Sequence, residues 1–137
     1  MESVIFIALL LILITIVIHV GVTRYILFLA KKHINSENYH LHFPKAVYLT
    51  MVAILLFATS IFEAVIWGIS YQWVGAIESF SEALYFSTVT FTTLGYGDVT
   101  LNDPWRLLGG FQASIGILIF GWSTAIVTTV VQKLYFK

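Results

Sequence analysis

Apolar residues are grouped into three long runs, and a short stretch that contains polar residues and glycines separates the second run from the third. The runs predict helices over residues 1–30, 46–70 and 105–132. Each is longer than the roughly 20 residues that a helix needs to cross a bilayer. The first run opens with Glu2 rather than with basic residues and is too long for a cleaved signal peptide, so we expect it to be retained. Three transmembrane helices are therefore predicted.

The stretch between the second and third runs is too short and too polar to span a membrane. It opens with Ser-Phe-Ser-Glu, a capping-box pattern in which Ser79 is the N-cap and Glu82 the third helical residue. A helix is predicted over residues 79–92, and the glycines of the following TTLGYGD stretch (residues 92–98) end it. Backbone outside a helix survives at membrane depth only inside protein or along a water-filled path. Since one short helix cannot enclose such a path, we expect several copies of the chain around a common axis.

The composition supports a membrane location. Hydrophobic residues make up 59% of the 137 residues and charged residues only 10%, whereas soluble domains carry roughly 25% charged residues. Cysteine is absent, which excludes disulfides and thiolate metal sites. A lipid bilayer is the expected surrounding, and neither a nucleic-acid partner nor enzymatic activity is expected.

Basic residues lie mostly on one side of the three predicted spans. Arg106 is on the opposite side, and the others flank the loop over residues 31–45 or follow the third span: Arg24, Lys31, Lys32, Lys45, Lys133 and Lys137. The positive-inside rule then places this loop and the C-terminus in the cytoplasm and the N-terminus outside. The expected location is the plasma (cytoplasmic) membrane.

Two sets of residues are expected on the outer side. Aromatic residues near the ends of the spans predict an interfacial belt, formed by Trp67, Tyr71, Trp73 and Trp105. Four acidic residues are also expected there: Glu78, Glu82, Asp98 and Asp103. Their charges would concentrate cations on the outer side if several copies of the chain converge.

Residues 87–100 read STVTFTTLGYGDVT, which resembles the signature of the tetrameric potassium channels. The order of span, short helix, glycine-containing stretch and span over residues 43–137 is also similar to the pore domain of that family. The resemblance implies an all-α membrane protein that assembles as a homotetramer. In it, residues 46–137 would form the pore domain, with a re-entrant pore helix over 79–92 and a selectivity filter over 93–98. Potassium would be the permeant ion, and no cofactor is implied.

The resemblance assigns the ion sites to backbone carbonyls and to one hydroxyl. The carbonyls, joined by the Thr93 hydroxyl, are those of Thr93, Leu94, Gly95 and Tyr96. Gly97 would complete the outer mouth beside Asp98. Leu94 stands where valine or isoleucine is commoner in the family. Independently of the family, Gly95 and Gly97 permit backbone conformations that other residues avoid.

Residues behind the filter would brace it. Tyr85 and Phe86 occupy pore-helix positions where the family often has bracing aromatic residues. Val89 is a departure, because some members carry a carboxylate there that pairs with the filter aspartate, so Asp98 needs another partner. Glu63 lies inside the second span, where a carboxylate costs roughly 2.5–3.5 kcal/mol. It has either a structural role, with a hydrogen bond near the filter, or a role in gating.

The third span carries residues that resemble those of the family's inner helix. Gly116 matches its hinge glycine, although a small residue also permits close helix packing. Packing is the favoured interpretation of Gly121. Ile117, Phe120 and Thr124 fall at positions that would line the cavity.

The remaining polar residues leave alternatives open. Thr15, His19 and Thr23 form a stripe on the first helix that predicts hydrogen bonds between helices. Three histidines in or near the 31–45 loop are interpreted as solvated, with metal binding or pH sensing as alternatives: His33, His40 and His42.

Two other functions compete with that of a potassium channel. The chain could be a regulatory or silent subunit of a larger channel, and an accessory regulatory subunit could also join it. It could instead be a less selective cation channel. The complete Gly-Tyr-Gly stretch argues against both alternatives.

Overall fold

The computed structural model describes residues 1–35 and 44–136, which form four helices: α1 (Glu2–Asn35), α2 (Lys45–Trp73), α3 (Phe80–Phe91) and α4 (Arg106–Tyr135). Three of them, α1, α2 and α4, are long and apolar enough to cross a membrane. α3 has 12 residues, too few to do so. The predicted all-α membrane fold is confirmed.

α1 continues to Asn35 and is therefore longer than the apolar run over residues 1–30 that predicted it. Helical hydrogen bonding does not need apolar side chains, so lysine and histidine residues extend the helix past the edge of the run. The first residues of the predicted loop over 31–45 are therefore helical. Residues 36–43 lie outside the described residues, and so do His40, His42 and the side chain of His33.

The start of α3 is the one that the capping pattern predicted. Ser79 is the N-cap, and its hydroxyl accepts a hydrogen bond of 3.5 Å from the backbone N–H of Glu82. Glu82 also places a negative charge in the first turn, where it opposes the positive end of the helix dipole.

α3 packs between α2 and α4, and α1 covers the same two helices from outside. Two buried clusters hold this arrangement together. One surrounds Trp67 and Tyr71 and joins all four helices. The other surrounds Val52 and Val130 and joins α1, α2 and α4.

The predicted aromatic belt is wrong for two of its four members. Trp67 and Tyr71 are fully buried, whereas Trp73 is exposed and Trp105 is half-buried. Trp67 donates its indole N–H to the Thr15 hydroxyl at 3.1 Å. A buried aromatic side chain with a hydrogen-bonded polar end stabilises the protein interior as readily as the membrane interface.

Candidate functional site

The backbone that follows α3 alternates between two conformations. φ is +59° at Thr93, +58° at Gly95 and +77° at Gly97, whereas the intervening Leu94 and Tyr96 do not have positive φ. When the sign of φ alternates in this way, successive peptide groups can turn so that their N–H groups lie on one side. Their carbonyls then lie on the other side. Residues 95 and 97 both have positive φ, which agrees with the prediction that the backbone needs glycine at these positions.

Hydrogen bonds show on which side of the segment the N–H groups lie. The N–H groups of Leu94 and Gly95 both donate to the carbonyl of Val89 in α3, at 3.0 and 3.2 Å. In a trans peptide the carbonyl of the preceding residue points the opposite way. The carbonyls of Thr93 and Leu94 consequently point away from the Val89 carbonyl of α3.

Thr93 adopts an unusual conformation for its residue type. A positive φ is a genuine outlier for a β-branched side chain, and such strain costs about 1–3 kcal/mol. Strained residues are concentrated at functional sites, where the surrounding structure holds them in place. The two hydrogen bonds to Val89 and a further one from the Thr93 N–H to the Thr90 carbonyl, at 2.9 Å, provide that restraint.

The segment over residues 92–98 is exposed along its whole length. The side chains of Leu94 and Tyr96 are 55% and 67% exposed. Exposed, unpaired carbonyls next to membrane-spanning helices need cover from water or from protein. This surface is therefore suited to line a water-filled path or to contact another chain.

Asp98 has a partner that the sequence interpretation did not name. The Tyr85 hydroxyl donates a hydrogen bond of 2.7 Å to its carboxylate, and the Val99 N–H donates another of 3.0 Å. The hydrogen bond from Tyr85 lowers the pKa of Asp98, and the same bond raises the pKa of the Tyr85 hydroxyl. Tyr85 thus replaces the carboxylate that is absent at Val89, and it connects α3 directly to the end of the glycine-containing segment.

Phe86 is oriented away from that segment. Its ring packs edge-on against Tyr71 of α2, with ring centroids 5.1 Å apart. Among the described residues, no ring contact within the chain involves Tyr96. Tyr85 thus contacts Asp98 and Phe86 contacts α2, and the bracing roles predicted for both residues stay predictions.

A buried polar network behind α3 was missed by the sequence interpretation. The Gln112 side chain, fully buried on α4, donates to the hydroxyl of Ser87 at 2.6 Å and to its carbonyl at 3.2 Å. Ser87 in turn donates to the carbonyl of Ala64 at 2.6 Å. Tyr71 donates its hydroxyl to Gln112 at 2.8 Å. The network ties α3 to both α2 and α4, and an amide side chain inside an apolar span was the available signal.

Gly116 allows α4 to approach the end of α3 closely. A Cβ added there would collide with the backbone carbonyl of Phe91, the last residue of α3. This contact supports the packing interpretation of Gly116. The hinge interpretation stays a prediction. A Cβ at Gly121, by contrast, would have no neighbour within 4 Å among the described residues, so they provide no partner for the packing predicted there.

Three residues predicted to line a cavity lie on exposed parts of α4. Ile117, Phe120 and Thr124 all face outward from the single chain. The ring of Phe120 also contacts that of Phe91, with centroids 6.1 Å apart. A groove of about 320 Å³ between α2 and α4 is lined by Phe120 and Thr124, among others.

Glu63 contacts α1 rather than the segment that follows α3. Its carboxylate is fully buried and lies 3.2 Å from the Nδ1 atom of His19. The structure therefore does not show the direct hydrogen bond near the filter that was expected of Glu63. The predicted bonds between helices are confirmed for Thr15 and His19, whereas the Thr23 hydroxyl donates to the His19 carbonyl of its own helix.

The fold and the site define a class of membrane protein. In this class a half-length helix and the segment of aligned carbonyls that follows it lie between two membrane spans. A family model described as "Ion channel" matches residues 49–133, more than half of the chain. The chain belongs to this ion-channel family, the potassium-channel pore-domain family with two spans. Neither the curated proteins nor the solved structures give a match.

Proposed function

We propose that the protein is a potassium-selective channel that conducts K⁺ passively through a pore formed by four copies of the chain. The observation that carries the proposal is the alignment of the Thr93 and Leu94 carbonyls. Both lie in an exposed segment and point away from the Val89 carbonyl of α3, because their peptide N–H groups are bonded back to it. Rings of such carbonyls replace the hydration shell of K⁺ in the filters of this family, a general arrangement that is already known.

A ring of carbonyls requires several copies of the chain, and the number four is what the likeness to the tetrameric potassium channels implies. Each chain contributes one α3 and one row of carbonyls, so a single chain can coordinate an ion from one side only. The exposed side chains of Leu94 and Tyr96 would be covered by neighbouring chains in the ring. Ile117, Phe120 and Thr124 would then line a cavity below the filter.

α3 would add an electrostatic contribution. Its C-terminal end lies directly before Thr93, and a helix C-terminus carries a partial charge of about −0.5. Four such ends directed at one cavity would stabilise a cation at the depth where the bilayer is least favourable to charge. The sites would comprise the carbonyls of residues 93–96 with the Thr93 hydroxyl.

The orientation rests on the basic residues at one end of the bundle. We propose that the N-terminus is outside and the C-terminus cytoplasmic, in the plasma membrane. Since the chain has no cysteine, a single cysteine introduced at Trp73 or at Tyr135 tests the orientation with a membrane-impermeant thiol reagent. Labelling of intact cells at Trp73 and not at Tyr135 is expected, and the reverse pattern would contradict the proposal.

The decisive experiment is the reversal potential of purified protein in a bilayer with K⁺ on one side and Na⁺ on the other. A potential close to that of a K⁺ electrode is expected. A value near zero from a conducting tetramer would establish a less selective cation channel instead. Native mass measurement in detergent provides the stoichiometry, and a monomer or dimer that still conducts would contradict the four-copy pore.

Variants in the filter separate its parts. Gly95→Ala should abolish conduction even when the tetramer forms, because a Cβ is strained at positive φ. Gly75→Ala is a matched control, since Gly75 also has positive φ (+71°) and open space around it, but lies in the loop between α2 and α3. Tyr96→Ala should reduce selectivity more than assembly. Thr93→Ala should weaken block by barium, an ion similar to K⁺ in size.

A further inference from the structure

Three helices meet at one buried polar cluster inside the membrane-spanning part of the protein. His19 of α1 and Glu63 of α2 are both fully buried, and the Nδ1 and Oε1 atoms that join them are 3.2 Å apart. The other ring nitrogen of His19, Nε2, lies 3.3 Å from the hydroxyl of Ser123 on α4. The cluster thus connects the extra N-terminal helix to both spans of the pore domain.

One atom of the cluster has no partner. Oε2 of Glu63 is buried and accepts no hydrogen bond from any described residue. A buried carboxylate oxygen without a partner is costly when it carries charge, and less costly when the carboxyl group is neutral. The surroundings therefore favour a state of the cluster without net charge.

The neighbouring groups offer no compensating charge. α4 presents the Trp122 ring, which packs edge-on against the His19 ring at 5.5 Å, and the Ser123 hydroxyl. On α1, Thr15 is one turn away and bonds to Trp67 of α2. In the described part of the chain, no other charged group lies within ion-pair distance of His19 or Glu63.

The condition that the His19–Glu63 pair carries no net charge determines how many protons the pair holds. The pair has no net charge when it holds two titratable protons, either as histidinium with carboxylate or as neutral imidazole with carboxylic acid. In both forms one proton lies between Nδ1 and Oε1, and the other is on Nε2, which donates to Ser123. Loss of one proton leaves a net charge of −1 among apolar side chains, and such an uncompensated charge strongly destabilises its surroundings.

We propose that His19 and Glu63 form a proton-binding site that holds α1 against α2 and α4. α1 is docked against α2 and α4 when the site holds two protons. When the pH rises, one proton leaves to bulk water, the net charge becomes negative, and the contacts of His19 with Glu63 and Ser123 weaken. The ligand of the site is the proton itself, and its occupancy controls the position of α1.

A groove lies beside the cluster. It has a volume of about 320 Å³, lies between α2 and α4, and Ser60 and Ser123 are among the residues that line it. Ser60 lies one turn before Glu63 on α2, and Ser123 contacts His19 directly. Thr124, on the face of α4 that would line the pore, also lines this groove. Any effect on conduction rests on the proposed function, whereas the docking of α1 does not.

The test measures the docking of α1 without reference to conduction. The chain has no cysteine, so Val17→Cys on α1 and Leu118→Cys on α4, both at exposed positions, place two spin labels on the two helices. Labelled protein is diluted with unlabelled protein so that each assembly holds one labelled chain. The distance between the labels is measured from about pH 5 to about pH 10.

The distance should lengthen with rising pH in the parent protein and stay constant in Glu63→Gln, whose amide bonds to His19 without titrating. Thr15→Val is the matched control, because it removes a hydrogen bond between the same two helices without removing a titratable group. It should keep the pH response. All other titratable groups remain in Glu63→Gln, so they cannot produce the difference.

Three outcomes would overturn the proposal: a distance in the parent protein that does not depend on pH, a response that persists in Glu63→Gln, or a response that disappears in Thr15→Val. His19→Gln provides a second variant if Glu63→Gln does not assemble, and it should also abolish the response. A channel that fails to select K⁺ while α1 still responds to pH would contradict the proposed function and leave the proton site standing.

Discussion

The close approach of α4 to the end of α3 provides a sharp test of how the pore domain is held together. Gly116→Ala would add a Cβ that overlaps the carbonyl of Phe91. The obstacle is backbone at the end of a helix, so no side chain can rotate to make room. Either α4 or α3 must move, and overpacking of this kind costs about 1–3 kcal/mol. That range corresponds to a factor of about 5 to 160 in the folding equilibrium.

The same substitution also has a favourable effect, which a control must remove. Alanine is a better helix former than glycine by about 0.8–1.0 kcal/mol. Gly110→Ala carries this gain alone, since Gly110 lies on the exposed side of α4, and no other part of the described structure comes within 4 Å of its added Cβ. The difference in stability between the two variants therefore measures the steric cost at Gly116.

The assay is unfolding in mixed micelles, followed by tryptophan fluorescence, with the reversal potential measured on the same preparations. Gly116→Ala should be less stable than Gly110→Ala by the steric cost. It should also lose K⁺ selectivity, because Phe91 lies only two residues before the strained backbone at Thr93. Equal stability and equal selectivity of the two variants would refute the close-packing argument.

Two further predictions concern the groups behind the filter. Gln112→Leu removes both the acceptor of the Tyr71 hydroxyl and a donor to Ser87, and an unpaired buried hydroxyl alone costs about 1–3 kcal/mol. Adding Tyr71→Phe should recover part of the stability in the same unfolding assay, and a double variant less stable than the single one would contradict this. Tyr85→Phe should raise the pKa of Asp98 toward its ordinary 3.8. Because the native pKa is lowered, the stabilisation exists above that ordinary value and is lost as the pH falls through the lowered one. The difference in thermal stability between Tyr85→Phe and the parent should therefore be present at neutral pH and vanish at acidic pH.

Local features of the chain determined much of the fold. Run length predicted the three long helices, because the free energy of placing a segment in a bilayer depends mainly on its own side chains. The capping pattern at Ser79 predicted where α3 begins. Gly95 and Gly97 predicted the unusual backbone that follows, since a missing Cβ is a local property.

Only the tertiary structure decided which side chains meet. His19 and Glu63 are 44 residues apart, and the separation of Gln112 and Tyr71 is nearly as large. Their pairing depends on how each helix is rotated about its axis. A transmembrane helix that is apolar all round carries little periodic pattern from which that rotation could be read. For the same reason the burial of Trp67 was not foreseen, because an aromatic residue suits the membrane interface and the interior equally well, and the packing of α1 against α2 determines which of the two it occupies.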